Sequence, residues 1–188
     1  MLIDCVSKRF SACGARIGAL IPRNCGIVRG ALKLAQARLS VATLDQLGAA
    51  ALYGVDPSYF DATRNEYRRR RDTCYRKLLE IPGIVTTEPQ GAFYTMAKLP
   101  VDSTERFQLY LLQEFEDNGE TVMFAPGSGF YATPGAGTSE IRIAYVRCVE
   151  ELERSLTLLR LAIERYNQKY KAGGPGGSPR DAAYDWGS

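Results

Sequence analysis

The period of the hydrophobic pattern changes several times along the chain, and each change marks an expected element. Residues 1 to 5 read as the end of a short apolar strand, and a second apolar run, Ile17 to Pro22, follows one loop later. From Gly26 to about Leu52 the chain is rich in Ala and Leu and compatible with two helices. A break falls at Ser40 to Thr43, where Thr43 is expected to cap the second. Asp56-Pro57 is a start signal, an Asx cap followed by proline in the first turn. Phe60, Thr63, Tyr67, Cys74 and Leu78 then recur on one face of a helix of about six turns that ends at Pro82-Gly83.

Beyond that helix the period falls to two. Ile84 to Glu88 and Ala92 to Ala97 flank a Pro89-Gln90-Gly91 turn and predict a hairpin. Asp102 and Glu105 have capping-box spacing ahead of a helix whose face carries Phe107, Leu111 and Phe115, with Asn118-Gly119 as its stop. Strands are expected over Thr121 to Ala125 and Glu140 to Val146. The loop between them, GSGFYATPGAGTS, is too rich in Gly and Pro for regular structure. Val149, Leu152, Leu156, Leu159, Ile163, Tyr166 and Tyr170 mark one face of a long final helix, and the remainder reads as a disordered tail. The sum is an α/β chain with a mostly antiparallel, helix-covered sheet.

Composition narrows the chemistry. The 188 residues are 45% hydrophobic and 24% charged, enough for one ordinary globular domain or two small lobes. Lys and Arg number 24 against 21 for Asp and Glu, a net charge of +3 with no long single-sign block, which argues against a nucleic-acid binder. Histidine is absent, which removes Ser-His-Asp and Cys-His nucleophiles, imidazole acid-base chemistry and most catalytic zinc sites. Proton transfer must then use Lys, a carboxylate, Tyr, Cys or a borrowed cofactor. The five cysteines are scattered and never spaced C-x-x-C, which points to reduced thiols in a cytoplasmic protein rather than a disulfide framework or a metal cage. The start MLIDCVSKRF, with Asp4 and two cations before any long apolar stretch, is not expected to act as a signal peptide, and no run approaches the roughly 20 apolar residues of a membrane span.

Two candidates emerge from the residues alone. Lys8 stands just past a strand and is followed by small residues and by Arg16. A lysine so placed becomes a nucleophile toward a carbonyl if its surroundings depress its pKa, and the arginine offers a planar fork to a phosphate. A solvated Lys-Arg pair at a loop is the competing reading. Arg142 lies in EIRIAYV, where Ile141, Ile143 and Tyr145 alternate onto one face and the arginine projects from the other, either as a carboxylate clamp or as part of a wet sheet face. The loop from Gly127 to Gly137 lacks the order of a P-loop and precedes a strand rather than a helix; Phe130 and Tyr131 there line a pocket or pack the loop. Arg68 to Arg71 point around the helix rather than along one stripe, and Glu66 is spaced to pair with Arg70.

Together these pieces resemble the class I/II aminotransferases of the aspartate aminotransferase fold. SKRFSACGARIG is similar to the family's cofactor-lysine motif, and GAFYTMAKLP, VMFAPGSGFY and EIRIAYV follow the content and order of its C-terminal domain. The resemblance implies pyridoxal phosphate as cofactor, Lys8 as catalytic residue and covalent anchor, Ser7 and Arg16 as cofactor-binding residues, and Arg142 as the residue that binds the substrate carboxylate. Cys5 stands where the family commonly has a phosphate-binding serine, and a thiol is the poorer hydrogen-bond partner.

The implied fold is the C-terminal part of a pyridoxal-phosphate-dependent transferase. Residues 1–26 would be a remnant of the large cofactor-binding domain, 27–170 the small domain with linking helices, and 171–188 a disordered tail. The implied activity is amino-group transfer from an L-amino acid to a 2-oxo acid, with homodimers in full-length family members. In the family a long N-terminal portion precedes this lysine and supplies the group facing the pyridine nitrogen. The chain is therefore expected to be incomplete as an independent catalyst. The alternative is a non-catalytic small-domain module acting in oligomerisation or protein interaction; a phosphate or nucleotide binder using the Gly127 to Gly137 loop is a third reading.

Overall fold

The computed structural model describes residues 1–171. The tail expected over 171–188 lies outside the described residues except for Lys171, the last residue of the final helix. Two compact units divide between Asp61 and Ala62. The helices of residues 25–52 thus fall in the first unit, whereas the sequence reading grouped them, as linking helices, with the small domain.

In the first unit, β1 (Leu2–Cys5) and β2 (Gly18–Ile21) form a two-stranded antiparallel ribbon, with Leu2 opposite Ile21 and Cys5 opposite Gly18. Between them lie α1 (Val6–Arg9) and a 3-10 turn at Cys13–Ala15. Two helices follow, α2 (Cys25–Arg38) and α3 (Thr43–Leu52). The α2 cap is Asn24, whose side chain accepts from the N–H groups of Gly26 and Ile27. Thr43 does not cap α3: the capping position is Ala42, which has no side-chain acceptor, and Thr43 is already helical. Only Val6, Phe10 and Ala49 are buried in this unit's core, with Ile17, Leu52, Val55 and Tyr59 packed partly against them.

The second unit is built differently. Helix α4 (Ser58–Leu79) starts at the end of the first unit, where Asp56 Oδ1 accepts from the Ser58 N–H at 2.8 Å, and its far end sends Cys74 and Leu78 into the second unit's core. Strands β3 (Val85–Thr86), β4 (Tyr94–Lys98), β5 (Ala125–Pro126) and β6 (Glu140–Ala144) form an antiparallel sheet in the order β3-β4-β6-β5. Helices α5 (Thr104–Gln113) and α6 (Val149–Lys171) complete it. Leu152, Leu156, Leu159, Ile163 and Tyr166 of α6 recur every three or four residues and are buried with Phe107, Tyr110 and Leu111 of α5 and Ala97 and Ile141 of the sheet. The Tyr166 ring meets Phe107 edge-on at 5.2 Å, and its hydroxyl donates to Asp102 Oδ1 at 2.6 Å. Burial and that hydrogen bond raise the Tyr166 pKa well above its ordinary value.

Three local expectations are corrected. Ser103, not Asp102, caps α5, accepting from the Arg106 N–H at 3.4 Å, because the Asp102 carboxylate is engaged by Arg106 at 2.5 Å and by Tyr166. Helix α5 stops at Gln113; Asn118 and Gly119, at φ +57° and +76°, instead form the tight turn that bridges Asp117 to Glu120. The strand expected over Thr121 to Ala125 is reduced to Ala125–Pro126, since Thr121 Oγ1 is drawn aside to the Leu111 carbonyl at 2.9 Å.

Candidate functional site

The β1–β2 ladder carries the first group of candidates. Its last pair is Cys5 opposite Gly18, and the next residues close the ribbon through a hydrogen bond from the Val6 N–H to the Ile17 carbonyl at 3.2 Å. The loop of residues 6–17 therefore leaves and re-enters at one end of the ladder. Cys5 ends β1 there, Ser7 and Lys8 follow it, and Arg16 precedes β2. A Cβ at position 18 would lie 3.2 Å from the Asp4 carbonyl, so glycine lets the strands approach closely there.

The loop is tied from inside. Val6 and Phe10 are buried, the Phe10 N–H donates to the Val6 carbonyl at 3.0 Å, and the Phe10 ring packs against Tyr53 at 5.1 Å. With both apolar neighbours anchored inward, Lys8 is exposed and Ser7 half-buried. Asp4 holds the ribbon end by accepting from the Cys5 N–H at 2.8 Å and from Arg9 at 2.6 Å. Arg16 takes a left-handed conformation, φ +53°, and Ser11 another, φ +54°. Non-glycine residues in this region cost of order 1 kcal/mol each and persist where surrounding contacts impose them. The exposed Arg16 guanidinium donates to the Cys13 carbonyl at 3.1 Å.

Arg142 belongs to the second unit. It is the middle residue of β6, opposite Met96 on β4 and Ala125 on β5. Ile141 and Tyr145 are buried on the opposite face, as the alternation predicts. Tyr94, two residues from Met96, shares the Arg142 face and is its diagonal cross-strand neighbour, within reach of an aromatic side chain. The Arg142 guanidinium carbon lies 4.6 Å from the Tyr94 ring centroid and 4.4 Å from that of Phe130. Among the described residues no carboxylate pairs with it. A cavity of about 280 Å³ adjoins it, lined also by Phe124, Arg147, Leu152, Ser155 and Leu156.

Sequence reading found Arg142 and pointed to Phe130 without choosing between pocket and loop packing; it missed Tyr94. The available signal was that Tyr94 and Arg142 stand in two adjacent alternating strands, but their register is a tertiary fact. Glu66 does pair with Arg70, at 2.7 Å, and Arg70 also donates to the Val146 carbonyl at 2.7 Å. Among the described residues no group of three or more metal-ligating side chains occurs, and no helix is long and apolar enough to cross a membrane.

The chain is thus α/β, a helix-covered antiparallel sheet with a strand-loop-strand unit bearing a Ser-Lys pair earlier in the chain. The profile of the family described as aminotransferase class I and II matches residues 1–157, and the chain belongs to that family. The aspartate aminotransferase of Bacillus subtilis strain 168 is 30% identical over 175 residues, covering 89% of this chain and 42% of that protein. That of Bacillus sp. strain YM-2 is 33% identical over 179 residues, covering 91% and 41%. Among solved structures, an alanine aminotransferase from Pyrococcus furiosus superposes with a TM-score of 0.73 at 30% identity, covering 87% of this chain and 42% of that one. An aspartate aminotransferase from Rhodobacter sphaeroides shares the fold at a TM-score of 0.75 and 22% identity, covering 87% and 40%. The chain thus spans 41–42% of the length of the two Bacillus relatives.

Members of this family use pyridoxal phosphate, and the donor set at the ribbon end fits its chemistry. A primary amine on Lys8 matches an aldehyde, and the Arg16 guanidinium with the Ser7 hydroxyl matches a phosphate dianion. The Cys5 thiol adds a weak donor at the same end.

Proposed function

We propose that this chain carries the cofactor-lysine loop and the carboxylate-binding arginine of a pyridoxal-phosphate-dependent aminotransferase that moves an amino group from an L-amino acid to a 2-oxo acid. The observation that carries the reading is the closure of the 6–17 loop by the Val6–Ile17 hydrogen bond, which gathers Ser7, Lys8 and Arg16 at one end of the ladder. Bound there, the cofactor supplies the electron sink for the pair released at the substrate Cα. Lys8 Nζ anchors it and moves the proton at that carbon, a role a lysine fills without histidine. Arg16 and Ser7 bind the phosphate, and Cys5 sits beside them. Arg142, whose guanidinium carbon lies 4.6 and 4.4 Å from the Tyr94 and Phe130 ring centroids, binds the substrate carboxylate in bidentate fashion. Homodimerisation of the full-length protein and a cytoplasmic setting, where exposed thiols such as Cys13, Cys25 and Cys148 stay reduced, belong to the same proposal.

The test is a visible spectrum of the purified chain with pyridoxal phosphate, followed by borohydride reduction and peptide mapping, with Lys8→Ala as control. The expected outcome is a label concentrated on the peptide containing Lys8 and lost in the variant. Label spread evenly over the chain's lysines, and unchanged by Lys8→Ala, would overturn the cofactor role. The second reading, a non-catalytic module that oligomerises, is favoured by exposed apolar side chains on the first unit, among them Leu2, Ile3, Ile21 and Leu32. A native mass of several chains together with no Lys8 label would select it.

A further inference from the structure

We infer that Phe130 is a positioning residue for Arg142: with Tyr94 it clamps the guanidinium between two rings, so that a ligand carboxylate reaches it only along its in-plane N–H edge. The inference rests on the proposed substrate role of Arg142 and adds the group that sets its orientation. Both ring centroids, at 4.4 and 4.6 Å, lie within cation–π reach of one guanidinium carbon. In the inferred clamp the two rings cover the weakly hydrated faces of the guanidinium and leave its fork of N–H donors as the accessible edge. A planar acceptor with two oxygens, a carboxylate, matches that edge.

The clamp needs Phe130 to be fixed, and the glycine-rich loop fixes it. The Gly127 N–H donates to the Glu140 carbonyl at 2.7 Å, and the Phe130 N–H donates to the Gly127 carbonyl at 3.0 Å. The 3-10 turn Ser128–Phe130 is thereby tied to the strand that carries Arg142, two residues before it. Ser128 Oγ donates to Glu105, and Tyr131 Oη donates to Glu140 Oε2 at 2.5 Å, which raises the tyrosine pKa above its ordinary value. Glycine is required at both ends of the loop. A Cβ at position 127 would stand 2.7 Å from the Glu140 backbone, and one at position 137, where φ is +72°, would stand 2.6 Å from the Tyr131 ring. Of the two roles that sequence reading left open for Phe130 and Tyr131, these contacts show packing, of Phe130 on Arg142 and of Tyr131 on Glu140.

The measurement is the ps–ns order parameter of the Arg142 Nε–Hε group in the ¹⁵N-labelled chain, with the signal assigned by its loss in Arg142→Lys. Phe130 is half-exposed, so Phe130→Ala should leave the melting temperature nearly unchanged. The expected outcome is a wild-type order parameter in the rigid range that drops below about 0.6 in Phe130→Ala and is retained in Phe130→Tyr. An Arg142 signal equally rigid in wild type and Phe130→Ala overturns the clamp. Titration with pyruvate tests the underlying reading separately: the Arg142 Nε–Hε signal should shift on binding, with affinity falling roughly five- to tenfold in Phe130→Ala. A wild-type signal blind to pyruvate overturns the substrate role of Arg142 whatever the order parameters show.

Discussion

Leu32 on α2 is 55% exposed and Leu156 on α6 is 4% exposed, although both lie on helices with an apolar stripe. The contrast runs through the two units. In the second, α4, α5, α6 and a four-stranded sheet share one cluster reaching from Cys74 to Tyr166, in which aromatic rings interlock at 5–6 Å separations. In the first, a two-stranded ribbon and two helices bury little beyond Val6, Phe10 and Ala49. An apolar stripe stabilises only when something covers it, and two short strands present too small a face to cover two helices. The lesson concerns function as well: the candidate lysine sits in the thinly packed unit, and the candidate arginine in the densely packed one.

Hydrogen exchange should expose that contrast most strongly. Amides of α2 are expected to open with free energies near zero, while those in the middle of α6 track global unfolding, a gap of several kcal/mol for a domain of ordinary stability. Equal protection of the two helices would break the comparison. Phe107→Ala removes a fully buried ring and should cost about 3–5 kcal/mol in denaturant unfolding of the second unit.

Acid comes next in size. Burial works to raise the Asp102 pKa, but hydrogen bonds from Tyr166 and Ser103 and the Arg106 charge outweigh it and hold it below its ordinary value. Lys169 and Tyr170 likewise depress Glu114. A carboxylate depressed in the folded state contributes stability that is present above its unfolded pKa and is lost as pH falls through the folded one. The melting temperature of the second unit should therefore decline below about pH 4, and Asp102→Asn should flatten that decline. A melting temperature independent of pH between about 5 and 2 would contradict the assignment.

The smallest effects lie in the first unit's helix caps. Asn24→Ala is expected to lower stability by about 1 kcal/mol, whereas Thr43→Ala, at a residue that caps nothing, should stay within about 0.5 kcal/mol. Far-ultraviolet circular dichroism during thermal melting would resolve the two, and equal losses would restore Thr43 as the cap.

Reading the chain alone recovered most elements because their signals are local. The alternation around Arg142 and the three- and four-residue spacing from Leu152 to Tyr166 depend only on backbone geometry and on which side chains avoid water. The Ser-Lys pair, Arg16 and the absence of histidine were equally legible, and the resemblance of their segments to the aminotransferase family implied a cofactor held by a lysine. Family membership follows from the same linear information.

Tertiary structure decided the rest, wherever a local signal met a distant competitor. Asp102 lost its capping role to Tyr166, 64 residues later, and Thr121 left its strand for the Leu111 carbonyl. Tyr94 came beside Arg142 only through the β4–β6 register, and Phe130 only through a loop folded back onto Glu140. The gathering of Lys8 and Arg16 likewise depended on where the β1–β2 ladder ends. Periodicity specifies which face a residue takes, because that is set by neighbours two to four positions away. Its hydrogen-bond and ring partners are set by which remote atoms packing delivers, and that is written in no local pattern.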